Sequence, residues 1–133
     1  MFIDSVVWIG AKLKRDQWHG SSVAIVQKFL KGEIKTAYVT DYVVLEVVNF
    51  LLRKAGFSTA LETLHLFRVH ERIRIINVNS EMFDALCKVF EEYPGLSITD
   101  ASIVTAMQSL GVQNLYSFDS CFDRVPWIER LEG

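Results

Sequence analysis

The sequence predicts an α/β domain, a three-layer α/β/α sandwich with a central parallel sheet, and three observations carry that expectation. Short runs rich in β-branched and aromatic residues (Met1–Ile3, Thr36–Val39, Arg72–Val78 and Asn114–Phe118) alternate with longer segments of helical periodicity. Strands separated by helices pair in parallel, because the crossover returns the chain to the same edge of the sheet. Two of the runs lead into an acid, Asp4 and Asp119. No Gly-, Pro- or Ser-rich linker divides the chain, so residues 1–133 are read as a single domain.

Taken in order, Met1-Phe2-Ile3 is a strand with Asp4 at its carboxyl end, and a charged loop with Lys12, Lys14, Arg15 and Asp16 follows. Ser21 or Ser22 caps a helix to about Lys31, with Val23, Val26, Phe29 and Leu30 on its apolar face and Gly32 as its stop. After the Thr36–Val39 strand, Thr40 or Asp41 caps a helix that runs to Gly56. That helix is apolar nearly all round (Val43, Val44, Leu45, Val47, Val48, Phe50, Leu51, Leu52) and is expected to be buried on most sides. Its only polar interior residues, Glu46, Asn49 and Arg53, share one stripe, and no basic residue stands three or four positions from Glu46.

A capping box within Ser58-Thr59-Ala60-Leu61-Glu62 opens the next helix, to His70 or Glu71, before the Arg72–Val78 strand. Asn79 or Ser80 caps a helix to Glu92 with Met82, Leu86, Val89 and Phe90 facing inward, and Tyr93-Pro94-Gly95 ends it. Ser97 is the N-cap of a helix rich in small residues (Ala101, Ser102, Thr105, Ala106, Ser109) that closes at Gly111 and suits a central, closely packed position. The last strand runs from Asn114 to Asp119, and the tail returns as a short turn and an edge strand.

Half of the 133 residues are hydrophobic and 23% are charged, a composition far from that of disordered chains. No apolar run approaches the ~20 residues of a membrane span, and an acid appears at position 4 before any basic leader, so a soluble, untargeted, cytoplasmic protein without membrane partners is expected. Cys87 and Cys121 lack zinc-ligand or C-x-x-C spacing and read as reduced thiols. A net charge of −2 excludes nucleic-acid binding by bulk electrostatics, so any phosphate contact must be local or carried by a metal. His19, His65 and His70 form no H-E-x-x-H, and no nucleophile elbow, P-loop or dinucleotide fingerprint occurs.

Four acids remain. Ligand crevices in open parallel sheets lie outside the carboxyl ends of the strands, where strand order reverses. Asp4 and Asp119 end strands, Asp100 opens the helix leading into the second of them, and Glu46 joins if its helix packs across that edge. Carboxylates gathered there raise one another's pKa, and a hard divalent cation, Mg²⁺ or Mn²⁺, reverses that repulsion. Each acid also has a plainer role: Asp100 completes a capping box with Ser97, Asp4 and Asp119 suit turns after strands, and Glu46 can face water with Asn49 and Arg53.

Phe2-Ile3-Asp4-Ser5, Leu45-Glu46-Val47-Val48-Asn49, Leu96-Ser97-Ile98-Thr99-Asp100-Ala101 and Tyr116-Ser117-Phe118-Asp119-Ser120-Cys121-Phe122-Asp123 follow one another in this order over nearly the whole chain. In this the sequence resembles the PIN-domain family, and within it the small VapC-type toxins. The resemblance implies a Mg²⁺- or Mn²⁺-dependent endoribonuclease with Asp4, Glu46, Asp100 and Asp119 as metal-binding and catalytic quartet. It also implies a homodimer, an RNA substrate and, for toxin-like members, a small antitoxin protein. Ser5 and Thr99 match positions that support the quartet by hydrogen bonds. The chain departs from the pattern at Val6, where Ser or Asn is frequent, and at Cys121, where many members carry a further acid that Asp123 replaces in part.

Lys12, Lys14, Arg15 and Arg53 read first as a solvated face, with phosphate contact as the alternative, and Trp8, Trp18 and Trp127 as packing residues before base-stacking ones. Two rival functions stand beside the nuclease. One is a PIN-like binding module without turnover, motivated by Cys121; the other, a receiver-like phosphoacceptor domain, is disfavoured because Asp4 has no adjacent acid.

Overall fold

The computed structural model describes residues 1–133. Five strands, β1 (Phe2–Ile3), β2 (Ala37–Thr40), β3 (Ile73–Ile76), β4 (Asn114–Tyr116) and β5 (Glu129–Leu131), form one sheet in the order β3-β2-β1-β4-β5. Every neighbouring pair is parallel, with Phe2 opposite both Tyr38 and Leu115. Six helices connect them: α1 (Ser5–Lys12), α2 (His19–Leu30), α3 (Asp41–Ala55), α4 (Phe57–Val69), α5 (Ser80–Glu92) and α6 (Ile98–Leu110). The expected α/β/α sandwich is what the chain adopts.

The chain steps from β1 to β2 to β3 in one direction, then crosses back to β4 on the far side of β1. Since parallel crossovers are right-handed, the reversal puts α1 to α4 on one face and α5 and α6 on the other. It also places the switch point between β1 and β4, at the ends of Ile3 and Tyr116. The core is one cluster that includes Phe2, Ile3, Trp8, Phe29, Val47 and Leu115. Trp8 stands edge-on to both Phe29 and Phe67, at 6.4 and 5.1 Å.

Two helix starts and two helix faces differ from the sequence expectation. Helix α2 begins at His19, ahead of Ser21 and Ser22, and its N-cap Trp18 makes no side-chain capping bond. Ser22 is instead completely buried, because α1 and α2 approach so closely that a Cβ on Gly10 would lie 2.4 Å from Ser22 Oγ. That hydroxyl has no hydrogen-bond partner. A buried, unpaired hydroxyl costs more than it returns, so Ser22→Ala should leave the fold intact and raise its stability by about 1 kcal/mol in urea unfolding.

Helix α4 starts at Phe57 behind Gly56, whose φ of 92° turns the chain, and the box expected within Ser58–Glu62 does not form. Glu62 pairs with Lys12 instead, at 3.1 Å. Helix α3 is capped by Thr40 as expected, but it is not buried on most sides: Leu45 and Leu52 are 60% and 46% exposed. Val43, Val47 and Leu51 fill the core side, which leaves the opposite apolar side to solvent beside an exposed Phe57. Helix α5 buries only Leu86 fully, and Phe90 of its predicted inner face is exposed.

Candidate metal centre

Asp4 follows β1 directly and caps α1, so its backbone belongs to the sheet and its side chain to the helix start. The ladder continues one residue past the strand, with Asp4 N–H donating to Tyr116 O at 2.9 Å. The carboxylate is 2% exposed. Ser5 N–H donates to Oδ1 at 2.7 Å, and the Ser5 hydroxyl lies 3.3 Å from the same atom. The Ser117 hydroxyl donates to Oδ2 at 2.7 Å. Burial pushes the Asp4 carboxyl up to about 7; the Ser117 bond and the Ser5 N–H oppose the rise, and the charges of Asp100 and Glu46 add to it.

Asp100 sits in the first turn of α6 and plays two parts. Its Oδ2 accepts from Ser97 N–H at 2.9 Å while Ser97 Oγ accepts from Asp100 N–H at 3.0 Å, a complete capping box. The carboxylate is thus not free of the cap, as Ser97 acting alone would have left it; only Oδ1 is unengaged. Burial raises its pKa, the bonds from Ser97 hold it down, and Asp119 raises it further.

Asp119 lies beyond the strand rather than at its end. Strand β4 stops at Tyr116, and Asp119 caps a 3₁₀ turn, Ser120–Arg124, by accepting from Cys121 N–H at 2.9 Å. Ligating atoms of Asp100, Asp119 and Cys121 lie within 4.8 Å of one another. Cys121 Sγ is 3.7 Å from Asp100 Oδ2. Burial and the carboxylates of Asp119 and Asp100 push its thiol well above the usual range.

Glu46 is exposed as a residue, one turn along α3, yet its carboxylate feels the cluster. Desolvation raises its pKa, the Ser5 hydroxyl favours ionisation, and the charge of Asp100 disfavours it. Helices α3 and α6 are keyed together by a buried bond between Thr40 Oγ1 and Ser102 Oγ at 2.9 Å.

The four acids are therefore linked in one electrostatic group, and none of them enters an ion pair with Lys or Arg. Such a group fits a divalent cation with oxygen ligands: hard donors, an unengaged oxygen on Asp100, and no basic side chain to neutralise them.

Other candidates fall outside the cluster. Asp123 does not stand in for the acid missing at position 121; Arg130 holds both its oxygens, at 2.9 and 3.0 Å, and keeps its pKa low. Thr99 contributes its carbonyl to Ser102 Oγ at 2.6 Å and no side-chain bond to the acids. Asn49 is exposed and bonded to none of them.

Sequence reasoning missed Ser117 and Arg130. Ser117 follows β4 as Asp4 follows β1, and that equivalence was its available signal. Arg130 Nη1 donates to Ser117 O at 3.2 Å, so β5 braces the segment carrying Asp119. Ser117→Ala removes a bond that favours ionised Asp4. The carboxyl should then hold its proton to higher pH, lowering activity at neutral pH about 10- to 100-fold and moving the acid limb of the pH profile upward.

A doubly wound parallel sheet with acids collected at its switch point is one class of α/β domain. The chain belongs to the PIN domain family, whose sequence pattern residues 1–128 match. Among solved structures, VapC20 of Mycobacterium tuberculosis, described as a sarcin–ricin loop cleaving toxin, aligns with a TM-score of 0.85 at 20% identity over 96% of each chain. A toxin–antitoxin complex from Klebsiella pneumoniae aligns at 0.69 and 15% identity over 96% of this chain and 94% of the other. VapBC2 from Rickettsia felis, solved with a DNA fragment of its promoter, aligns at 0.66 and 17% identity over 98% and 96%. At these identities the likeness is one of fold. No curated protein sequence matches the chain.

Proposed function

We propose that the chain is a metal-dependent endoribonuclease, with Mg²⁺ or Mn²⁺ held by Asp4, Asp100 and Asp119 and with Glu46 completing the ligand set directly or through water. The observation that carries this reading is that Asp100 and Asp119 bring carboxylate oxygens within 4.8 Å of each other, that the charge of Asp100 is felt by Asp4 and Glu46, and that none of the four enters an ion pair with Lys or Arg. A bound ion of this kind activates water and stabilises charge on a phosphodiester under in-line attack. The chain's own groups do the rest. Ser117 and Ser5 orient Asp4, the capping box fixes Asp100, and Glu46 receives or orients a water proton at the rim.

The fold shared with a toxin described as cleaving the sarcin–ricin loop, and with two toxin–antitoxin complexes, supports RNA as substrate, the toxin of a toxin–antitoxin pair as role and a small antitoxin as partner; we place its action in the cytoplasm. The exposed Leu45, Leu52 and Phe57 support a homodimer through the α3–α4 side. Incubating the purified protein with RNA in Mg²⁺, Mn²⁺ or EDTA tests the reading: cleavage should require metal, and its absence with both ions rejects the enzyme. Cys121 favours a second reading, a PIN-like module that binds without turnover. Calorimetry with Mn²⁺ separates the two, since the module should show no metal affinity.

A further inference from the structure

The connection between α1 and α2 is unlike an ordinary surface loop. Asp16 Oδ1 accepts from Trp18 N–H at 2.8 Å, Trp18 O accepts from Ser22 N–H at 2.8 Å, and His19 Nδ1 meets Gly10 O at 2.8 Å, so the backbone about Trp18 is held at three points. Its indole lies flat on Phe118, with ring centroids 4.6 Å apart and planes 9° from parallel. Phe118 is the residue between Ser117, which bonds Asp4, and Asp119. With one face covered by Phe118, 37% of Trp18 is still open to solvent. A fixed aromatic face of this kind, beside an acidic cluster, is suited to a nucleobase and would be wasted on packing.

The same connection carries positive charge. Lys14 and Arg15, with Lys54 and Phe50 of α3, line an open groove of about 610 Å³, together with Asp16 and with Lys12, which is paired to Glu62. In a chain of net charge −2 this local concentration of cations is suited to a phosphate backbone.

We infer that Trp18, backed by Phe118, is the stacking platform for an unpaired RNA base next to the scissile phosphate, and that the Lys12–Arg15 and Lys54 groove holds the adjoining backbone. The platform calls for a base with a free face, which a base within a duplex does not offer. Trp18 is a positioning residue that touches the substrate away from the reacting atoms. The inference rests on the ribonuclease reading.

The test uses the full chain in EDTA, a labelled mixed-sequence single-stranded 12-mer RNA, and the same 12-mer with its bases replaced by abasic residues. The wild type should bind the intact strand with quenching of tryptophan fluorescence that W18F removes, and W18F should keep most of the affinity. W18A should weaken binding of the intact strand about tenfold or more and leave the abasic strand unchanged, whereas K14A/R15A should weaken both. In Mn²⁺, W18A should raise KM more than it lowers kcat. Equal binding of the intact 12-mer by wild type and W18A overturns the inference, as does quenching that survives in W18F. Should W18A fail to fold, judged by circular dichroism, the W18F quenching difference and the wild type's preference for intact over abasic RNA decide. A wild type that cleaves RNA with metal but shows neither rejects the platform alone; one that neither binds nor cleaves rejects the nuclease reading as well.

Discussion

Asp100→Asn is expected to lower RNA cleavage by about 10³-fold or more while costing less than about 1 kcal/mol of stability. The two numbers part because the residue does two jobs with different atoms. An asparagine carbonyl can still accept from Ser97 N–H, as Oδ2 does at 2.9 Å, so the capping box and the start of α6 survive. The negative charge that Asp100 brings to the cluster does not survive, and charge stabilisation of several kcal/mol at a phosphoryl centre corresponds to three or more decades in rate. Asp100→Ala should lose both activity and the cap, destabilising by about 1 kcal/mol. Cleavage kinetics beside urea unfolding of the two variants check this. Asp100→Asn with normal kinetics would reduce Asp100 to a cap.

The second large effect is a reversal of the usual pH dependence of stability. Asp4 has an ordinary value of 3.8 when unfolded and about 7 in the fold. The folded chain therefore holds that proton more tightly, and stability must fall as pH rises from about 4 to 7, then level off. The fall from this one group is on the order of 4 kcal/mol. Glu46 and Asp100 are raised too and act in the same direction. Asp123, held low by Arg130, acts the other way, with its effect completed below that window. Urea unfolding between pH 4 and 8 in EDTA should show the fall, and Mn²⁺ should flatten it, because a bound cation favours the ionised carboxylates. A profile flat in EDTA, or equally steep in Asp4→Asn, would contradict the account.

Much of this was readable from residue order, for identifiable reasons. Strands β1, β2 and β4 and the caps at Thr40, Asn79 and Ser97 follow from local patterns that no tertiary contact overrides. The start of α2 was misplaced because Ser21 and Ser22 look like caps; only the approach of Gly10 across the helix pair shows why a small residue is needed at 22. The burial of α3 was overstated because apolar content does not distinguish a core side from an open one. Among the acids, type and order were legible. The sharing of Asp100 between cap and cluster, the support of Asp4 by Ser117 and the loss of Asp123 to Arg130 were not, since each depends on which oxygen meets which partner.

The bond from Ser117 to Asp4 joins residues 113 positions apart, and Arg130 braces it from the last strand. A chain emerging from the ribosome carries Asp4, Glu46 and Asp100 long before the segment that pairs with and completes them. Long-range closure of this kind comes late in folding, so nascent and prematurely ended chains should lack the support that Ser117 gives Asp4. On the ribonuclease reading, the message and the machinery still producing the chain are in this way spared.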